Sequence, residues 1–220
     1  MAKIDPKARL LSGCDQLGLK LSSSQVDQFM RYLSALIRWN RKINLTGFQS
    51  ENEIIIKFIL DALTPLGIVG AEPGAKWIDV GTGAGSPGLP LKIVRPDLDM
   101  TLVEPIEKKV TFLHHVIGLL GLSKVTVAHD RMKALRGKKW DGRYDLLLTR
   151  GLDPASVLKE GASFVRKGGG LLFYQTTAEE YKWRDLLMGY PNMVLLGLRP
   201  VALPFCEDPR TLVLINCRFA

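Results

Sequence analysis

The sequence predicts an α/β protein in which a mostly parallel, doubly wound sheet follows a cap made only of helices. Two observations carry that reading. From Trp77 onward, short apolar runs alternate with helical patterns, the rhythm of strands joined by crossover helices. Where that rhythm begins stands Lys76-Trp77-Ile78-Asp79-Val80-Gly81-Thr82-Gly83-Ala84-Gly85-Ser86-Pro87-Gly88, a buried-strand run followed by four glycines in eight positions. Glycine is needed where the backbone takes positive φ or where a ligand lies against the main chain. A strand, a glycine turn and a helix together form the ligand crevice of such a sheet.

The cap comes first. Pro6 to Leu19 reads as a helix closed at Gly18. Ser22 and Gln25 have capping-box spacing, and Val26, Phe29, Met30, Leu33, Leu36 and Ile37 recur behind them at helical intervals to about Asn40. After Glu51-Asn52-Glu53, a further helical pattern (Ile55, Phe58, Ile59, Ala62, Leu63) ends at Pro65. Residues 1–72 are therefore expected to form a helical cap, in one unit with a sheet domain at 73–220.

In the sheet domain, a helix starting near Ser86 or Gly88 follows the first strand and stops before Pro96. Met100 to Val103 is the second strand, ended by Glu104-Pro105. Lys108 to Leu120 is the next helix, closed by Gly121. Val125 to Ala128 and Tyr144 to Thr149 are strands three and four. Asp153 then caps a helix with Pro154 at its first position. Gly168-Gly169-Gly170 reads as a turn into a fifth strand, Leu171 to Tyr174. A helix around Glu179 to Met188 precedes a closing hairpin of Val194 to Leu198 with Leu212 to Asn216.

Composition bounds the function. A hydrophobic content of 46% marks an ordered globular chain. No apolar run approaches the ~20 residues of a membrane span, and Lys3, Asp5, Lys7, Arg9 and Asp15 break up any signal-peptide core. Cys14, Cys206 and Cys217 lack Cys-x-x-Cys spacing; they suit a reducing cytoplasm and argue against a metal site. The net charge of +8 favours a polyanionic partner, since phosphate contacts carry much of nucleic-acid affinity.

The residues that carry chemistry are few. Gly83 to Gly88 matches the dinucleotide fingerprint G-x-G-x-x-G. The acid two residues ahead of Gly81 resembles instead the first motif of S-adenosylmethionine methyltransferases. Glu104 ends the second strand 19 residues after Gly85, where a crevice-binding fold places the carboxylate that holds ribose hydroxyls. Arg150 directly follows the fourth strand at the ligand edge. Basic residues cluster at Arg131, Lys133, Arg136, Lys138, Lys139 and Arg143, opposed only by Asp141. A second group, Arg38, Arg41 and Lys42, flanks Trp39. Basic charge beside an aromatic is a common way to hold RNA, although a solvated face reads the same in sequence. His114 and His115 fit packing or surface positions, and His129 ends the third strand near the ligand edge. No nucleophilic triad or metal-ligand spacing emerges.

From Leu21 to Asn216 the chain resembles the glucose-inhibited-division protein B family, the small-subunit ribosomal RNA guanine-N7 methyltransferases. The resemblance rests on Trp39-Asn40-x-Lys42-x-Asn44-Leu45-Thr46, Ile59-Leu60-Asp61, the glycine segment from Asp79 to Gly88, and Thr149-Arg150. It implies a seven-stranded class I methyltransferase sheet with S-adenosyl-L-methionine (SAM) at Gly81, Gly83, Gly85, Ser86 and Glu104, and further contacts at Met132, Lys133 and Arg150. It implies no catalytic side chain and no metal. Asn40, Lys42, Asn44, Asp61 and Arg150 would hold the RNA or its target base. The implied partner is 16S ribosomal RNA or the small ribosomal subunit, met by a cytoplasmic monomer with no membrane association.

Four positions depart from the family pattern. Phe58 replaces histidine, Ala62 replaces serine, Met132-Lys133 replaces Ala-Glu with Asp130 as the nearby acid, and Gln175 replaces lysine. Thr149-Arg150-Gly151-Leu152 is neither the Asn/Asp-Pro-Pro-aromatic motif of amino-group methyltransferases nor the Pro-Cys pair of cytosine-C5 enzymes. Two other readings stay open: an NAD-dependent oxidoreductase on the same glycine turn, and a non-catalytic or differently specific ribosome-binding protein that kept the fold.

Overall fold

The computed structural model describes residues 5–137 and 139–218. Helix α1 (Pro6–Gln16) starts at Asp5, whose side chain accepts from Lys7 N, with proline at its first position. Helix α2 (Ser23–Asn40) starts at the expected capping box. Gln25 closes that box and also donates to the carbonyls of Ile93 and Val94, tying the cap to the sheet domain. A short α3 (Glu51–Glu53), with its own box at Ser50 and Glu53, runs straight into a π-helical stretch, Ile54–Leu60. Helix α4 (Asp61–Leu63) and a 3-10 turn (Thr64–Gly67) end the segment. The sequence reading places an ordinary helix here. The widened turn presents two carbonyls, of Lys57 and Phe58, to partners outside the helix.

The sheet has seven strands: β1 (Lys76–Val80), β2 (Asp99–Val103), β3 (Val125–Ala128), β4 (Tyr144–Arg150), β5 (Val165–Gln175), β6 (Met193–Val201) and β7 (Arg210–Cys217). Their order is β3-β2-β1-β4-β5-β7-β6. The first five are parallel, and β7 and then β6 add antiparallel. Successive residues alternate between two apolar layers, as strand geometry requires. Trp77, Leu146 and Leu148 face one layer; Ile78, Val80 and Leu147 face the other. Cap residues such as Phe29, Tyr32, Ile55 and Leu60 share the first layer with α5 (Gly88–Val94) and α6 (Glu107–Leu120). The second layer is covered by α7 (Met132–Leu135), α8 (Pro154–Gly161) and α9 (Glu180–Leu187). A sheet buried on both faces explains its near-continuous apolar strands.

The Gly168-Gly169-Gly170 turn is corrected. All three residues lie within β5, where pairing with β4 jumps from Tyr144↔Val165 to Leu146↔Gly170. The extra residues bulge out of the ladder. A Cβ on Gly169 would lie 2.5 Å from Val165 Cγ1 and 2.8 Å from the Asp145 carbonyl oxygen, so the bulge admits only glycine there. Helix α7 has no counterpart in the sequence reading; one turn is too short to show a periodicity.

The candidate active site

The strand order reverses between β1 and β4, so ligands are expected at the carboxyl ends of those strands. The glycine segment sits there, shaped by three neighbours. Asp79, fully buried in β1, accepts hydrogen bonds through Oδ2 from Thr82 Oγ1 at 2.6 Å and from Gly88 N at 2.8 Å. It thereby closes the turn onto the start of α5. Burial pushes its carboxyl up to about 6, against the lowering effect of those two donors. From the cap, the Tyr32 hydroxyl donates to the Ala84 carbonyl. Gly85 stands at φ +99°, and a Cβ there would lie 2.8 Å from that hydroxyl, so the cap packs flush under the turn.

Ser86 is the third fastening. Its buried hydroxyl donates to the Phe58 carbonyl at 2.9 Å, and its N–H to the Thr82 carbonyl at 3.0 Å. Both polar hydrogens are engaged within the fold, so toward a cofactor its hydroxyl could act only as an acceptor. Ser86 joins the turn to the π-helical stretch.

Glu104 lies at the same edge, just past β2, and is buried. Oε2 accepts from Gly83 N at 2.9 Å and Oε1 from Ile106 N at 3.0 Å. Each oxygen keeps a second lone pair, so the carboxylate is fixed in place yet still able to accept two hydrogens. Beside it, the position of a Cβ on Gly83 has no heavy atom within 4 Å. An open main-chain bend next to an anchored pair of acceptors is an arrangement able to take a nucleoside, since such an acid can accept from sugar hydroxyls.

A second cavity, of about 480 Å³, opens at the ends of β4 and β5. Lys57, Asp61, Arg150, Leu152, Gln175 and Arg210 are among its lining residues. Asp61 is buried between two guanidinium groups, with Arg150 Nη1 3.2 Å from Oδ2 and Arg210 Nε 3.2 Å from Oδ1. Burial nonetheless raises its carboxyl above the ordinary range, outweighing both arginines. Arg150 also donates to the Lys57 carbonyl at 3.1 Å, and its guanidinium lies 5.6 Å from the centroid of the Phe58 ring. Leu152 is the wall between the two halves. A Cβ on Gly81 would sit 2.9 Å from Leu152 Cδ1, while Leu152 also lines the second cavity. Neither Arg210 nor Leu152 is singled out by sequence reasoning. Arg210 carries only a weak signal, a basic residue opening a strand.

The other candidates separate. Asn40 spends its amide oxygen and one of its two Nδ2 hydrogens on its own loop, so contact with RNA would fall to the second hydrogen. Oδ1 accepts from Leu45 N and Thr46 N, and Nδ2 donates to the Thr46 carbonyl. It staples the 41–46 loop, on which Lys42 and Asn44 stand exposed. Lys133 is exposed on α7, and Met132 turns its sulfur toward α8, 2.9 Å from the position of a Cβ on Gly161. Asp130 Oδ1 accepts from Arg131 N. Of the substrate-side departures, Ala62 is buried and its carbonyl accepts from the Tyr174 hydroxyl. His115 packs tilted against Trp39 with ring centroids 5.1 Å apart, and His129 Nε2 lies 3.2 Å from the Pro105 carbonyl oxygen. Lys138 lies outside the described residues.

A seven-stranded sheet of this order, with a glycine bend after β1 and an acid after β2, defines the class I SAM-dependent methyltransferase fold. A SAM-dependent methyltransferase from Aquifex aeolicus superposes with a TM-score of 0.58 at 18% identity, over 75% of this chain and 93% of that one. The family model for rRNA small subunit methyltransferase G (GidB) matches residues 25–213. Proteins named ribosomal RNA small subunit methyltransferase G from Desulforamulus reducens and Roseiflexus castenholzii are 35% and 37% identical to it. They cover 94% and 90% of this chain, and the matches span 88% and 86% of theirs. The chain belongs to the rRNA small subunit methyltransferase G family, a family of SAM-dependent methyltransferases. Membership decides between the two ligand classes that the glycine pattern alone admits.

Proposed function

We propose that the protein methylates N7 of a guanine in 16S ribosomal RNA, with SAM as the methyl donor. The observation that carries this reading is the shared wall: Leu152 packs on Gly81 of the glycine bend and lines the cavity that holds Asp61, Arg150 and Arg210. Donor and acceptor sites are thus adjacent. Bound SAM supplies an electrophilic methyl group on a sulfonium. Glu104 would take the ribose hydroxyls, and the main chain at Gly81 and Gly83 would lie along the nucleoside. Arg150, at the end of β4, lines the second cavity and would suit the carboxylate end of the cofactor.

Guanine N7 has an exposed lone pair and no proton to lose, so the acceptor needs no general base. Placement then carries the catalysis, and proximity and orientation contribute ~7–11 kcal/mol to a bimolecular step. Asp61, held by two arginines, suits the N1–H and amino edge of guanine, which leaves N7 on the opposite edge free. Lys42 and Asn44, exposed on the stapled loop, are placed to contact the flanking RNA. The guanine would be splayed from its neighbours to enter.

We further propose that the 1–72 cap and the 73–220 sheet domain work as one unit, in a cytoplasmic monomer. A single apolar layer shared by cap and sheet supports the first point, and no helix among the described residues is long and apolar enough to cross a membrane. The experiment is transfer of labelled methyl from SAM to small-subunit rRNA, naked and protein-bound, followed by digestion and mass analysis. Label recovered as 7-methylguanosine is the expected result. Label at another atom, or none on either substrate, overturns the reading.

A further inference from the structure

On the sheet face away from the cap, a groove of about 490 Å³ lies between the end of α7, the end of α8 and the start of β5. Arg136, Lys159 and Lys167 line it, beside Tyr190 and Met193, and no acidic residue does. The three cations are exposed and make no ion pair or side-chain hydrogen bond among the described residues. Some exposed cations elsewhere find acids, as in Arg31–Asp27, Arg166–Asp145, Lys182–Glu179 and Arg184–Glu180; what sets these three apart is that they share one concavity. The one acid of the neighbouring loop, Asp141, is turned to other work. Oδ2 accepts from Gly137 N at 2.8 Å and Oδ1 from Ser163 Oγ at 3.0 Å, so its carboxylate folds the loop and does not itself line the groove.

The charge has a direction. Arg131 and Lys133 follow β3 at the active-site edge, Arg136 comes next, and Arg143 and Lys167 lie at the opposite edge, where β4 and β5 begin. Positive charge therefore descends the flank from the cofactor side, with an aromatic ring at the groove. Unpaired cations held in a concave line repel one another, and a polyanion relieves that repulsion while releasing its own counterions.

We propose that this groove binds the phosphodiester backbone of the ribosomal RNA strand beyond the target nucleotide, as a docking surface separate from the active-site cavity. The proposal rests on the methyl-transfer reading and locates part of its substrate contact. The test compares Arg136→Gln/Lys159→Gln/Lys167→Gln with a control of equal net charge, Lys7→Gln/Lys20→Gln/Arg199→Gln. Binding of a naked small-subunit rRNA fragment is titrated across salt, alongside SAM affinity, kcat and KM. Each phosphate contact contributes ~0.7–0.9 to the log–log salt slope, so the groove variant should lose about 2 to 3 units of slope. Its affinity drop between 50 and 200 mM salt should then shrink by roughly 20- to 40-fold relative to wild type. SAM affinity and kcat at saturating RNA should stay unchanged, with KM raised. Equal slopes for groove and control variants would overturn the proposal. So would a defect confined to the protein-containing particle, which would place a protein in the groove. The slope is read without turnover, so failure of wild-type methyl transfer sinks the functional reading and leaves this result separate.

Discussion

Replacing Asp61 by asparagine sets two effects against each other. The carboxylate lies 3.2 Å from a nitrogen of each arginine, with its side chain 5% exposed. If pairing dominated, removing the charge would destabilise the fold by about 3–5 kcal/mol, as deletion of one member of a buried pair does. Burial, however, raises this carboxyl above its ordinary value despite both arginines. Desolvation therefore outweighs attraction. The arginine side chains keep 22% and 15% exposure, so water screens them once the acid is gone. Asparagine keeps the shape and one acceptor. The expected net change at pH 7.5 is within about 1 kcal/mol. The sign with pH follows from the raised carboxyl. The folded chain holds that proton more tightly than the unfolded one, so this group's stabilisation is complete below 3.8 and is lost as pH rises through the folded value. The variant should gain stability relative to wild type between pH 4.5 and 7.5. Activity should behave otherwise. Arg150 loses an anchor, and a shift of about 1 Å in a positioning group can lower kcat/KM by ~100-fold. Urea unfolding at both pH values and kcat/KM at saturating SAM read the two effects. A loss above about 3 kcal/mol at pH 7.5, or wild-type kcat/KM in a stable variant, would refute the reasoning.

Glu104→Ala removes the acceptor for two hydroxyls at about 1.5 kcal/mol each, so calorimetry should show SAM binding roughly 100-fold weaker; unchanged affinity would remove the carboxylate from the site. Ser86→Ala deletes one buried hydrogen bond and should lower stability by about 1 kcal/mol in urea, with SAM affinity shifted less than about threefold. A tenfold weaker complex would make Ser86 a direct ligand. Asn40→Ala frees the 41–46 loop, so KM for rRNA should rise while SAM affinity holds; a titration in which both constants match wild type would make the staple irrelevant to substrate.

What was legible in the sequence is what local spacing encodes. The glycine bend, the acid ending β2 and the alternation of strands depend on neighbours within one supersecondary unit. Residues that act across the fold were not legible in the same way. Asn40 stands in a polar motif, and only the return of the chain at Leu45 and Thr46 turns its amide inward. Arg210 meets Asp61 because β7 adds beside β5 and starts next to its carboxyl end, a pairing that nothing in either segment announces. Between Ile54 and Leu60 only Lys57 is not apolar, and such a run satisfies a helical repeat of any pitch, so the π-helical turn left no trace. The glycine triplet failed for the opposite reason: its composition fits a turn, and the bulge in β5 uses the same permissive backbone.

That π-helical turn shows what a change of side chain at position 58 leaves in place. The Lys57 carbonyl accepts from Arg150, and the Phe58 carbonyl accepts from Ser86 in the glycine bend. Two consecutive residues of the cap thus hold the acceptor cavity and the donor bend in register. Both links are made by the main chain, so they survive a change of side chain at position 58. The ring that stands there is buried, meets Tyr32 edge-on at 5.9 Å and lies beneath the Arg150 guanidinium. An aromatic hydrocarbon satisfies that setting without a polar partner, whereas an imidazole would need one for its N–H. If placement governs the proposed reaction, position 58 serves it through the backbone that couples the two halves, and phenylalanine supplies that backbone.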